Sequence, residues 1–568
     1  MTDGMTAKGL GRWRRGLGYG LAVLAMLPGG AAAQALPQSL PQSLPPQVTP
    51  SVIGAGSRPA EERTEPPPVQ DEPLVGGQGL DGLPRITIRG GGTRFTLTGV
   101  DFDPSSLLPA EELATVESGY AGRSVTFADL QELVAEVNRL YDARGQSAAR
   151  AVLPAQRIDG GRVRIQLVEG RVESIAVQGD PAVGDRYVRD RIRAASGQVL
   201  DTRELHRDVL RFNLTNEAQL RAALQPGASF GLTDLQLAVF EPPRTALDLS
   251  ADNYGFEATG RGQGAAMFRT GSLIVPGDRT TVYAAGSQGT RVGNLAYNLP
   301  VGTGGGRIGF GLSGSWTEVV KGDYRRYGIT GTSRSASLTG SHPLWTGDSA
   351  QLSLTAALAR SLSSNSIAGT RLSGTRTTRG MAGLSFYYGD EGTSVMASQA
   401  VGLARMTETT GGQTRNAPLF TGDLNAFHRL SEEWAVQLRG AWQLSTLREL
   451  SGDQLFQIGG AASLRALPPG ALTGDDGVFG QAELHWDAAT LVEGTPLRSL
   501  DLYGFYESGL IRLTGGRRAV MSDAGVGAAA RLSDLVSLEA TVAARLRDGD
   551  AAPMDRYRLY VRTVFHVF

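Results

Sequence analysis

The chain has 568 residues, 76 of them glycine and none cysteine, with 55 basic against 56 acidic side chains. Without cysteine there are no disulfides, no thiolate metal sites and no cysteine nucleophiles. A formal net charge of -1 leaves no basic footprint for nucleic acid, whose phosphates demand clustered positive charge.

Lys8, Arg12, Arg14 and Arg15 precede an apolar stretch from Leu17 to Leu27, followed by Ala31-Ala32-Ala33-Gln34-Ala35. A basic n-region, a short apolar region and small-residue cleavage sites read as a secretory signal peptide over residues 1–35. An uncleaved anchor is the alternative, but Pro28-Gly29-Gly30 ends the stretch short of the roughly 20 residues that span a bilayer. No later apolar run is long enough for a membrane helix, so a membrane role requires a barrel.

Residues 36–90, which open with the near-repeat Leu36-Pro37-Gln38-Ser39-Leu40-Pro41-Gln42-Ser43, read as an extended Pro-rich linker. Strand-like character starts near Phe95 and leads to a helix from Thr126. There Leu130, Leu133, Val134, Val137, Leu140 and Tyr141 form one apolar stripe, Thr126 with Asp129 resembles a capping box, and Gly145 stands where a C-terminal cap belongs. Strands are expected at Ala148–Leu153 and Arg162–Val168. A similar order recurs: a strand at Val172–Val177, helices at Asp185–Ala195 and Thr202–Leu214, strands at Leu220–Leu224 and Asp234–Phe240. Two small α/β modules, 91–171 and 172–241, are expected.

From 242 to 568 the period is two, as in Arg307-Ile308-Gly309-Phe310-Gly311-Leu312 and Gln351-Leu352-Ser353-Leu354-Thr355-Ala356, with turn residues between. The region is long enough for roughly 16 transmembrane strands. In the last strand Tyr557, Leu559, Val561 and Phe565 share one face, Arg562, His566 and Phe568 the other, and alternation alone leaves open which meets lipid.

At this point the chain resembles the two-partner secretion transporters, or haemolysin secretion/activation proteins, within the superfamily that includes the barrel-assembly proteins. The resemblance is carried by Leu140-Tyr141, Arg144-Gly145, Ala151-Val152-Leu153-Pro154-Ala155-Gln156 and Val168-Glu169-Gly170-Arg171-Val172, which look like the family's first polypeptide-transport-associated (POTRA) domain. Gln225-Pro226-Gly227, Asp252-Asn253-Tyr254-Gly255, Leu299-Pro300-Val301-Gly302, His342-Pro343-Leu344 and Ser522-Asp523-Ala524-Gly525 extend it, whereas Thr215-Asn216-Glu217 departs from the family's turn. The implied fold class is mixed: two small α/β POTRA domains, then a transmembrane antiparallel β-barrel of about 16 strands.

Ile458–Leu467 is similar to the family's inward-folded loop, with Arg465 at the arginine position and Leu464, Ala466 and Leu467 around it. Ala466 and Leu467 replace a glycine and an aromatic, so a positive φ there would be strained. Phe505, Glu507 and Gly509 look like the family's partner strand, which implies a latch of Arg465 on Glu507 in the lumen. The alternative is a solvated loop arginine and an ordinary lumen-facing glutamate. Leu153, Pro154, Gln156 and Tyr141 are candidate substrate-binding residues.

His206, His342, His428, His485 and His566 are scattered without ligand spacing, so neither a metal site nor a catalytic set is nominated, and no cofactor is expected. The resemblance implies a non-enzymatic pore in the cell outer membrane, with its N-terminal domains in the periplasm. Its implied partners are a large exported protein with an N-terminal secretion domain, outer-membrane lipid, and the barrel-assembly machinery during biogenesis. A monomer is expected. An assembly factor of the same superfamily, or a passive porin, is the alternative.

Overall fold

The structure, a computed structural model, describes residue 49 and residues 74–77, 94–179, 181–409, 411–513, 516–547 and 555–568. The expected signal peptide lies outside these residues, as does most of the Pro-rich segment. One piece of that segment is more than a spacer. Val75–Gly77 forms strand β1, and Leu74 beside it is buried in an apolar core.

The first module comprises β2 (Phe95–Thr96), β3 (Gly99–Phe102), α1 (Ala110–Tyr120), β4 (Ser124–Val125), α2 (Phe127–Ala143), β5 (Ala149–Val152) and β6 (Arg162–Glu169). The start of α2 is set by the expected capping box. The Thr126 amide donates to Asp129 Oδ2 at 2.6 Å and the Asp129 amide donates to Thr126 Oγ1 at 3.3 Å. The Thr126 amide foremost, and then the Thr126 hydroxyl at 2.7 Å, donate to the Asp129 carboxyl and hold it below its usual range. Leu130, Leu133, Val137 and Tyr141 of α2 are buried against a sheet of order β3-β6-β5.

The second module comprises β7 (Arg171–Gln178), α3 (Asp185–Arg189), α4 (Thr202–Thr215), β8 (Gln219–Pro226) and β9 (Leu232–Phe240). Its sheet has the order β1-β8-β9-β7, so the linker strand adds in parallel to the β8 edge. The helix expected over Asp185–Ala195 stops at Arg189. Asp208 of α4 draws the Arg193 amide (2.8 Å) and guanidinium onto its carboxylate, which diverts an amide that a longer helix would use internally.

Each module also clamps one strand with an asparagine of its own helix: β5, an edge of the first sheet, and the start of β8, just before the stretch that β1 covers. The Asn138 side chain accepts from the Ala151 amide (2.7 Å) and donates to the Ala151 carbonyl (3.2 Å); Asn213 does the same to Leu220 at 2.6 and 3.1 Å. Past the end of β5, Gln156 accepts from the Arg164 amide at 2.8 Å and donates to the Arg164 carbonyl at 2.7 Å.

The rest is a closed antiparallel barrel. In chain order its strands are β10 (Thr245–Asp252), β11 (Gln263–Gly271), β12 (Arg279–Gly286), β13 (Thr290–Val301), β14 (Gly306–Glu318), β15 (Ile329–Thr346), β16 (Ala350–Ile367), β17 (Thr370–Gly389), β18 (Thr393–Glu408), β19 (Thr414–Arg429) and β20 (Trp434–Ser445). They continue as β21 (Phe456–Ile458), β22 (Leu472–Asp487), β23 (Ser499–Leu513), β24 (Arg518–Arg531), β25 (Val536–Arg547) and β26 (Tyr557–His566). β20 pairs directly with β22, so the three-residue β21 is an inner arm and 16 strands make the wall. β10 pairs with β26 to close it.

Alternation decides which side chains meet lipid. Leu354, Leu358 and Leu362 of β16 point outward, as do Tyr557, Leu559 and Val561 of β26, each exposed. Arg558 and Tyr560 are buried inside, and His566 meets Asp248 across the seam at 2.9 Å. The face of the last strand that bears Tyr557, Leu559 and Val561 is therefore the lipid face.

The second module sits on one end of the barrel through ionic contacts. Asp348, in the β15–β16 turn, faces Arg203 and Arg207 of α4, and Glu217 bridges Arg269 and Arg279. Arg307 donates to the Thr215 carbonyl at 2.7 Å. The Thr215-Asn216-Glu217 turn is thus the joint with the barrel rim.

Candidate functional site

Between β20 and β22 the chain leaves the wall and folds into the lumen. β21 pairs with Leu472–Gly474 of β22, and the tip beyond it turns on Gly459 (φ 114°) and Gly460 (φ 97°). The conformations that only glycine adopts freely are placed there, not at Ala466, so the expected strain does not arise. The Gly460 amide donates to the Leu467 carbonyl at 3.0 Å, and the Leu467 amide to the Leu464 carbonyl at 3.2 Å, which makes the tip compact.

Arg465 stands at its apex with 6% of its surface exposed. Its backbone amide donates to Glu507 Oε2 at 2.7 Å and its Nε to Glu507 Oε1 at 2.6 Å. Nη2 donates to Glu483 of β22, and the guanidinium lies 3.6 Å from the Phe505 ring centroid. One cation is therefore shared by two carboxylates and covered by an aromatic face.

The surrounding wall completes the socket. Gln481 donates both to the Ser463 carbonyl and to Glu507 at 2.6 Å, the Ala466 amide donates to Asp523 at 2.9 Å, and Tyr560 donates to the Leu467 carbonyl at 3.2 Å. Behind Glu483, His485 lies 3.2 Å from its second oxygen and 2.8 Å from Asp501. Leu464 and Leu467 pack with Ile458, Ile511, Ala519 and Met521, while Ala466 packs with Tyr503 and Phe505. A Cβ on Gly509 would come within 2.9 Å of Ile458 and 3.3 Å of Leu464, so this strand position makes room for the loop.

The structure thus brings Arg465, Glu507, Phe505, Gly509, Leu464, Ala466 and Leu467 into one place. Glu483, Gln481, Asp523 and Tyr560 were not singled out from the sequence. The alternation of Gln481, Glu483 and His485 against Ala482 and Leu484 could have shown that they face the lumen. Beside the loop, a lumen cavity of about 710 Å3 is lined by Asp252, Arg379, Arg439, Arg562 and the loop residues Ala461 and Ser463.

The other candidates do not converge. Tyr141 is fully buried and donates to Glu169 at 3.1 Å, so it belongs to the module core and offers no contact surface. Leu153 is half-buried against the same core, and the Gln156 amide is committed to Arg164, with a long 3.4 Å contact to the Pro154 carbonyl. No group of metal-ligating side chains occurs among the described residues.

A two-module chain with an arginine-locked loop inside a 16-stranded barrel has relatives. The family model described as haemolysin secretion/activation protein ShlB/FhaC/HecB matches residues 231–532, more than half of the chain, and the ShlB-type POTRA domain matches residues 95–170. The chain belongs to this family. As a haemolysin secretion/activation family member it lies in the outer membrane, with its POTRA region in the periplasm.

The outer membrane transporter CdiB of Dickeya dadantii is 25% identical over 211 residues, 37% of each chain. The heme/hemopexin transporter protein HuxB of Haemophilus influenzae is 28% identical over 191 residues, 33% of this chain and 34% of that one. These matches span only about a third of each relative's length. CdiB of Escherichia coli is 22% identical over 434 residues, 70% of both chains. Among solved structures, CdiB from Escherichia coli superposes with a TM-score of 0.69 at 19% identity, over 86% of this chain and 94% of that one. CdiB from Acinetobacter baumannii gives 0.63 at 16% identity, over 89% and 95%.

Proposed function

We propose that this protein is an outer-membrane translocation pore that exports one particular large partner protein by two-partner secretion. The observation that carries this reading is the loop tip inside the lumen, fastened through Arg465 to Glu507 and Glu483. A releasable stopper suits a pore that must stay shut until cargo arrives, and a passive porin has no use for one.

In this reading, residues 1–35 are a cleaved signal peptide, 36–90 a linker that lends Val75–Gly77 to the second module's sheet, 91–171 and 172–241 two POTRA domains, and 242–568 the barrel. The POTRA domains capture the unfolded cargo through an N-terminal secretion domain, by strand addition at a sheet edge. At β5 an incoming strand would have to replace the Asn138 clamp on Ala151. The chain works as a monomer without catalysis or cofactor, and the barrel-assembly machinery inserts it. Folding of the cargo outside supplies the drive.

The test is co-expression with a large exported β-helical partner, scored by its appearance in the medium. Secretion is expected to fall in Arg465→Glu and in Glu507→Arg, and to return only in part in the double reversal, because Glu483 then faces a second carboxylate and the amides that donate to Glu507 lose their acceptor. Cargo that leaves the cell equally well without this chain would refute the proposal, and loss of other barrels from the membrane would point to an assembly factor instead.

A further inference from the structure

The outward wall of the barrel carries four arginines on four consecutive strands: Arg334 on β15, Arg360 on β16, Arg376 on β17 and Arg405 on β18, all exposed. Register places them together. Arg334 lies opposite Leu362, Arg360 opposite Thr378, and Arg376 opposite Thr407. Each arginine is therefore the diagonal neighbour of the next on the same face, about 7–8 Å away by sheet geometry. They zigzag in two rows, Arg334 with Arg376 above and Arg360 with Arg405 below.

Their outward orientation follows from their strand mates: Leu338, Leu358 and Leu362, Leu384, Val401 and Leu403 are exposed on the same faces. Their height is equally defined. Toward the docked module the outward positions are apolar: Leu338 on β15, Leu354 and Leu358 on β16, Leu384 and Phe386 on β17, Val401 and Leu403 on β18. Toward the far end, beyond Leu362 at the level of Arg334, they become Thr332, Ser364, Gly374 and Thr407. The row stands where the apolar band stops, at the outer-leaflet headgroups, where the cost of an outward charge fades. On the adjoining strands Arg291 covers the Trp316 ring at 5.3 Å, an interfacial pair at the same end.

Among the described residues none of the four takes part in an ion pair, and no outward-facing Asp or Glu occurs on the outer halves of β15–β18. Four like charges at this spacing repel one another unless an anion lies between them. We propose that this face is a binding site for a phosphate-bearing lipid headgroup of the outer leaflet, held by bidentate guanidinium contacts to its phosphates. The hydroxyls of Thr378 and Thr407, which alternate with the arginines, supply further donors.

The full-length chain in zwitterionic detergent is mixed with hexa-acylated diphosphoryl lipid A, and retained lipid is counted by native mass spectrometry. The wild type is expected to retain this lipid and to reject its dephosphorylated form. The quadruple variant R334Q/R360Q/R376Q/R405Q is expected to bind it about tenfold more weakly. Equal retention of the dephosphorylated lipid, or unchanged binding in the variant, would overturn the proposal; so would displacement by millimolar inorganic phosphate, which would mark a small-anion site. Should the variant fail to fold, the two lipids compared on the wild type still decide. Secretion is not the readout, so the site stands or falls apart from the export reading.

Discussion

Arg465 is a buried cation between two buried carboxylates. Removing one partner of such a buried set leaves the others uncompensated, typically at about 3–5 kcal/mol. Arg465→Ala is therefore expected to free the loop, because Glu507 and Glu483 are then left facing each other. Faster proteolytic cleavage within residues 459–470 of the folded barrel, together with higher single-channel conductance, would report the release; wild-type rates would show that the apolar packing of Leu464 and Leu467 suffices. A second residue-scale device lies in the first module. Burial pushes the Glu169 carboxyl up, but hydrogen bonds from Ser105, Ser106 and Tyr141 outweigh it and hold it below its ordinary value of 4.5. A depressed carboxylate stabilises the fold above that ordinary value, and the benefit is lost as pH falls through the lower folded one. Protection of the Ser106 and Leu107 amides, which donate to Glu169 at 2.9 and 3.2 Å, measured against their intrinsic exchange rates, should fall as pH drops below 4.5, and Glu169→Gln should abolish that dependence.

At the scale of elements, β23 is shaped to receive the loop. Gly509→Val would drive a side chain into Ile458 and Leu464, and overpacking of this kind costs about 1–3 kcal/mol. The expected result is a displaced tip, seen as easier cleavage there, while the barrel stays resistant to heat in detergent. Elements with local instructions were legible from the sequence. The capping box and apolar stripe of α2 name its start and its buried face, and the alternation of β14 and β16 names strands. Elements decided by distant partners were not. The early end of α3 depends on Asp208, and β1 depends on an open β8 edge that no pattern in a Pro-rich segment announces. The latch divides in the same way. Arg465 and Glu507 lie in stretches that resemble the family's loop and its partner strand; Asp523 lies in a family-like stretch that gave it no part in the latch, and Glu483 looks like any lumen-facing acid until the loop is seen above it.

For the whole molecule, the joint between second module and barrel includes, beside the Arg307 contact to the Thr215 carbonyl and the burial of Tyr387 in the module's core, two ionic sets of unequal worth. Asp348 and its arginines are about half exposed, with side-chain exposures of 48%, 41% and 38%, so each pair is worth about 0–1 kcal/mol and is screened by salt. Glu217 (25% exposed) and Arg269 (14%) are better shielded. Glu217→Ala should therefore loosen the module more than Asp348→Ala, and added salt should mimic the second change more than the first. The spread of distances between spin labels on α4 and the β15–β16 turn would measure both, and equal broadening would show that the joint is held elsewhere.

The paired clamps, Asn138 on Ala151 and Asn213 on Leu220, bear on the time before the barrel is in place. An open strand edge is a template for uncontrolled association, and a barrel protein that has yet to insert is already rich in such edges. By closing hydrogen-bonding groups of the β5 edge, and of the part of β8 that β1 leaves uncovered, with its own amides, the chain narrows both openings during its passage through the periplasm. A contact so short-ranged forms as soon as each module folds, so this protection does not wait for the membrane.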